Sequence, residues 1–137
     1  MGRTSIEQAR HNESVCNYLG KKDEHSDWVI TTAFYSAIHY VRHLMLSFTD
    51  SDVSDINFES IFRIKKNVSE GRHGFQLRYV NNNYNEIKYE YKRLHDLSEN
   101  ARYMNYLFTR TDATNAKEYL KRIKTFADNF KTNDLNK

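Results

Sequence analysis

Residues 26–48 read SDWVITTAFYSAIHYVRHLMLSF, and this stretch decides the fold. Ile30, Phe34, Ala37, Val41, Leu44 and Phe48 alternate spacings of four and three, so they line one side of an α-helix for about six turns. The other side is also poor in charge. Thr31, Thr32, Tyr35, Ser36 and His39 stand where a surface helix carries Lys and Glu, which predicts a central helix covered by others on most sides. Ser26 is the expected N-cap, with Asp27 in the first turn, where a carboxylate meets the positive end of the helix dipole.

Outward from that helix, the composition points the same way. The chain has 137 residues, no proline and 4 glycines, which favours long helices in one domain over residues 1–137 and argues against a turn-rich β architecture. Ten Tyr, eight Phe and one Trp must supply much of the apolar burial. The single cysteine, Cys16, cannot form an internal disulfide and lies on an apolar stripe; it reads as a packing residue in a reducing cytoplasm. Arg42 and His43 interrupt the only candidate membrane span, the first residues are too polar for a secretory leader, and Ile6 stands where a myristoylation signal needs Ser or Thr. A net charge of +3 is too small to announce a nucleic-acid binder and does not exclude one.

Before the central helix, Thr4 with Glu7 and Ser5 with Gln8 both have capping-box spacing, and Gly20 is expected to close a first helix through a left-handed turn. The short linker KKDEH makes helices one and two antiparallel neighbours. Beyond the central helix, TDSDVSDIN reads as a loop, and Phe58, Ile61, Phe62 and Ile64 mark a short third helix closed by KKNVSEG. Residues 72–80 read as a helical turn or short helix. Tyr84, Ile87, Tyr91, Leu94, Ser98 and Ala101 alternate three and four as one long helix. After a connector at 103–110, Asp112 or Thr114 is expected to cap a last helix. Ala116, Tyr119, Leu120, Ile123, Phe126, Ala127 and Phe130 form its buried stripe, and Lys117, Lys121, Arg122 and Lys124 its exposed side. The fold class is therefore all-α, an antiparallel bundle of four to five helices.

Familiar catalytic signatures are missing. His39 and His43 lie four apart, but the motif reads HYVRH, without the glutamate of a zinc protease or an obvious third ligand, so no metal site is assigned. There is no GxSxG elbow, no glycine-rich phosphate loop and no pair of carboxylates of the glycosidase kind, and no cofactor is expected. What remains is a polar cluster. Tyr35, His39 and Arg42 share one side of the central helix, and His95, Glu99 and Arg102 share one side of the later long helix. Antiparallel packing would gather the two rows, with His73 and Arg78, around one cleft offering guanidinium forks, imidazoles and stacking rings. The plainer reading is a surface Glu99–Arg102 pair and tyrosine hydroxyls satisfied by histidines.

The order DWVITTAFYSAIHYVRHLM, GRHGFQLRYV and YKRLHDLSENARY resembles small bacterial HEPN-type domains (higher eukaryotes and prokaryotes nucleotide-binding) from about Asn12 to Ile123. The similarity is carried by Trp28, Phe34, Tyr35, His39 and the run Ala101-Arg102-Tyr103, with His73 and Arg78 a weaker match. The resemblance implies an all-α bundle that forms a homodimer. In that family, metal-independent ribonucleases of toxin–antitoxin, phage-defence and CRISPR settings stand beside inactive nucleotide- or RNA-binding scaffolds. Active members carry an Arg followed four to six residues later by His. No such pair starts from Arg42, Arg63, Arg72, Arg78, Arg93 or Arg102, and His73 with Arg78 and His95 with Arg102 occur in the reverse order.

Two functions follow as expectations. The first is a non-catalytic cytoplasmic module that dimerises and binds RNA, a nucleotide or a partner protein through Tyr35, His39, Arg42, His73, Arg78, His95, Arg102 and Tyr103, with no membrane role. The second is a divergent ribonuclease in which Arg102 or Arg78 steadies the phosphate while His39, His73 or His95 moves the proton.

Overall fold

In the computed structural model, residues 3–21, 25–46, 55–101 and 109–135 are described, with backbone only at 46, 55–57 and 131–135. They form six helices: α1 (Ser5–Leu19), α2 (Ser26–Leu46), α3 (Asp55–Lys65), α4 (Arg72–Asn83), α5 (Lys88–Glu99) and α6 (Arg110–Leu135). No strand occurs among the described residues. The all-α bundle expected from the periodicity is what forms, with six helices where four to five were expected.

The central position of α2 follows from its sequence. Val29, Ile30, Ala33, Phe34, Ala37, Ile38, Tyr40, Val41, Leu44 and Met45 are all buried. The small polar residues opposite the apolar seam are buried or half-buried by bonding to backbone. Thr31 and Thr32 donate to the carbonyls of Asp27 (2.9 Å) and Trp28 (2.7 Å), and Ser36 donates to the Ala9 carbonyl of α1 at 2.7 Å. The helix takes Ser26 as its first residue, one place inside the expected cap. Phe48, which the sequence placed on its seam, lies outside the described residues.

α1 packs antiparallel to α2, with Ala9 against Ser36 and the Cys16 thiol donating to the Val29 carbonyl at 3.5 Å. Of the two overlapping capping boxes, Thr4 with Glu7 is the one built: the Thr4 hydroxyl accepts from the Glu7 amide (3.3 Å), and the Glu7 carboxylate accepts from the Thr4 amide (3.0 Å). Ser5 is buried one residue inside the helix, and Gln8 donates to Asn12 instead. Gly20 is not left-handed as expected; its φ of −72° and ψ of −6° are helical. The Lys117 ammonium of α6, at the end of a flexible side chain, lies 2.9 Å from where a Cβ would sit.

Four other boundaries differ from the sequence reading, the last being the α6 cap expected at Asp112 or Thr114. α3 begins at Asp55, inside the stretch read as loop, and residues 72–80 belong to a full twelve-residue helix. The long helix expected from Tyr84 is broken there. Tyr84 closes α4 with its amide on the Val80 carbonyl, and a turn through Ile87 leads into α5. Its ring is buried against Tyr79, Phe126 and Phe130, and that packing outweighs the continuous helix its spacing implied. At α6, Thr109 is the cap: its hydroxyl accepts from the Asp112 amide, and the Asp112 carboxylate accepts from the Thr109 amide, both at 3.1 Å.

The result is an α2 spine with partners on different sides. The Val29–Ser36–Tyr40 side meets α1, the Phe34–Ile38–Arg42 side meets α4 and α5, and α6 packs along both α2 and α5.

Candidate functional site

Phe34 of α2 is fully buried, and part of the polar cluster expected from the sequence packs against it. Its ring meets His73 of α4 edge-on at 5.8 Å, His95 of α5 edge-on at 5.6 Å and Tyr91 of α5 at 5.9 Å, and Tyr35 lies 6.1 Å from His73. One turn along α2, Ile38 reaches Tyr91 through Gln76, so α2 and α5 run antiparallel. Two imidazoles thus flank one buried ring. The electrostatics around His95 are acidic: its Nδ1 is 3.1 Å from Asp96, and its Nε2 is 3.9 Å from Glu99. Burial pushes the Asp96 carboxyl up, but hydrogen bonds from His95 and Lys92 outweigh it, and the group sits below its usual range.

The arginines are placed differently. Arg42 donates from Nε to the Gln76 side-chain oxygen at 3.2 Å, and its guanidinium lies 4.1 Å over the Phe58 ring. Arg78 points away from Phe34. It grips Glu70 from Nε (3.0 Å) and Nη2 (2.9 Å), donates to the Lys65 carbonyl at the end of α3 (3.0 Å), and covers Phe75 at 5.5 Å. Arg72 forms a fork with Glu59 at 2.6 and 2.9 Å and lies over Phe62 at 5.1 Å. Phe58, Phe62 and Phe75 pack together where α3 meets α4, so three guanidiniums roof one aromatic cluster.

Gln76, which the sequence reading passed over, is the hinge of this arrangement. It is fully buried and donates to the Ile38 carbonyl (2.8 Å) and the Tyr91 hydroxyl (3.1 Å) while accepting from Arg42. Desolvation holds the Tyr91 hydroxyl protonated far above its ordinary range, so it serves as a neutral hydrogen-bonding group. A signal was present: Gln76 lies four residues before Val80, on an apolar face beside Phe75.

His39 is half-buried on α2, and Trp28, part of the sequence resemblance, is 58% exposed at the start of that helix. Arg102 and Tyr103, and most of the connector at 103–110, lie outside the described residues. Among the described residues, no group of three or more His, Cys, Asp or Glu is placed to hold a metal ion, and no helix is long and apolar enough to cross a membrane. Compared with protein-family models, with curated proteins and with solved structures, the chain finds no match.

Proposed function

We propose that this chain is a non-catalytic, HEPN-like helical module that pairs with a second copy and binds RNA, a nucleotide or a partner protein at the face carrying Tyr35, His73 and His95, in a bacterial defence or toxin–antitoxin setting. The observation that supports it is the commitment of Arg42 and Arg78, the candidate arginines among the described residues. A metal-independent ribonuclease needs a guanidinium beside an imidazole to hold the scissile phosphate. Here Arg42 is engaged by Gln76 and Phe58, and Arg78 by Glu70 and the α3 terminus. Cytoplasmic residence and the homodimer belong to the same proposal, on the resemblance of the sequence.

His73 and His95, which both meet Phe34, favour one rival, a divergent ribonuclease. Total RNA and tRNA incubated with the purified chain in EDTA decide between them, beside His73→Ala and Arg102→Ala variants. Intact RNA is the expected result; cleavage that the variants lose overturns the proposal in favour of the enzyme. Light scattering checks the pairing, and a monomer at tens of micromolar refutes it.

A further inference from the structure

α1 and α6 run antiparallel on one side of α2. Lys117 meets Gly20 at one end, and Lys124 meets Glu13 at 3.4 Å two turns along. Each packs extensively on α2, and between them lies a groove of about 460 Å³. Glu13 and Asn17 of α1 form one wall; Thr114, Lys117, Lys121 and Lys124 of α6 form the other. Beyond Thr114 and Lys117 a smaller hollow, which Arg110 also lines, continues the path. Arg110, Thr114, Lys117, Lys121 and Lys124 alternate four and three, a single stripe about 20 Å long at 1.5 Å per residue. These are the lysines the sequence reading assigned to the exposed side. Lys117 and Lys124 are half-buried against the groove instead.

The charge balance inside the groove is uneven. Glu13 accepts from the buried Tyr40 hydroxyl at 2.8 Å and pairs with Lys124; Glu118 pairs with Arg122 at 3.8 Å. Both carboxylates are thereby matched. Lys117 and Lys121 have no carboxylate within salt-bridge reach among the described residues. Their Cα atoms are one helical turn apart, about 6 Å along the axis, close to the repeat of successive phosphates in an extended strand. Asn17 and Thr114 add neutral donors beside them. The α1 wall is tied to α2, because Glu13 accepts from the hydroxyl of Tyr40, which is buried in the core.

We propose that the α1–α6 groove seats the sugar–phosphate backbone of a single-stranded nucleic acid, with Lys117 and Lys121 on successive phosphates. The chemistry favours phosphates over an apolar helix, since ammonium, amide and hydroxyl groups line the groove beside Leu120 and its two carboxylates, Glu13 and Glu118, are already paired. The site lies across α2 from the face carrying Tyr35, His73 and His95 and stands independently of what that face binds.

The test is fluorescence anisotropy with a labelled twelve-nucleotide oligouridylate across a salt series, using the full chain. Lys117→Gln/Lys121→Gln is compared with Lys88→Gln/Lys92→Gln, a pair at the same spacing on α5, and thermal melts confirm that both fold. The expected result is at least a ten-fold loss for the groove pair alone, with the salt slope reduced by about 1.4 for two lost single-strand phosphate contacts. Absence of oligouridylate binding overturns the proposal, as does equal loss in the two pairs. An acidic peptide of the same charge that binds as tightly assigns the groove to a protein partner and also overturns it. Loss in His73→Ala/His95→Ala with full binding in the groove pair moves the strand to that other face and refutes the groove.

Discussion

Gln76→Met tests whether the hydrogen bonds at the centre of the bundle hold its helices in place. Methionine keeps nearly the same length and volume, so little cavity is made, and the loss falls on three hydrogen bonds linking α2, α4 and α5. The Ile38 carbonyl remains inside the α2 ladder and loses little. The Tyr91 hydroxyl is fully buried, and stranding it costs about 1–3 kcal/mol; the charged Arg42 bond adds about 1.5–3 kcal/mol. The expected destabilisation is about 3–5 kcal/mol. For 137 residues, each kcal/mol lowers the midpoint by about 3.5 °C, so the midpoint followed by circular dichroism should fall by about 10–17 °C. Tyr91→Phe supplies the control. Alone it costs about 1 kcal/mol; in the Gln76→Met background it removes the stranded hydroxyl and should recover part of the loss. A midpoint within about 2 °C of wild type for Gln76→Met, or a Tyr91→Phe effect identical in both backgrounds, would show that this network does not carry the load assigned to it.

Four further outcomes are expected. Glu70 accepts from Arg78 and from the Asn67 amide, which holds its carboxyl at about 2 instead of 4.5. A depressed native value means stabilisation present above 4.5 and lost as pH falls toward 2, so the deficit of Glu70→Gln in melts should be constant near neutrality and close across that window; a pH-independent gap refutes it. Ser69 has φ of 66°, in the left-handed region, so stability should rank Gly above Ser above Val at this position, with Ser69→Gly gaining about 0.5 kcal/mol; the reverse order is the refuting result. Burial raises the Cys16 thiol above its usual range, so Ellman's reagent should react only as fast as the chain unfolds, and immediate labelling of native protein would contradict the structure. Tyr40→Phe removes a buried bond to the Glu13 carboxylate and should cost about 1.5–3 kcal/mol in urea unfolding; no change would mean Lys124 alone holds Glu13.

The parts of the fold that were legible in the sequence are those whose signal is periodic and local. The α2 seam from Ile30 to Leu44 reads as a four-and-three alternation, and every one of those positions is buried. The Thr4–Glu7 box could be read because both partners sit within one turn. Tyr84 shows the limit. Its spacing to Ile87 and Tyr91 continues a helical stripe, yet its ring is captured by Phe126 and Phe130, more than forty residues away, and the backbone turns to allow it. Gly20 likewise departs from the local rule, ending α1 in a helical conformation where a left-handed turn was expected. At the candidate site, His73 and His95 both meet Phe34, while the destinations of Arg42 and Arg78 depend on Phe58, Gln76 and Glu70, contacts that spacing along one helix does not encode.

That contrast bears on what the arginines are for. A guanidinium laid over an aromatic ring and forked to a carboxylate or carbonyl is stiff, and it shields apolar surface as well as carrying charge. Arg42, Arg72 and Arg78 each cover one ring of the Phe58–Phe62–Phe75 cluster, and each also makes a directed hydrogen bond, to Gln76, Glu59 and Glu70 respectively. Recruiting one of them to a phosphate would uncover its ring and strand its acceptor. Lysines on α6 face no such conflict, because Lys117 and Lys121 leave no carboxylate behind when they turn to a ligand. Among the described residues, Lys117 and Lys121 are therefore cations that an anion can recruit without that cost, whereas Arg42, Arg72 and Arg78 are part of the framework.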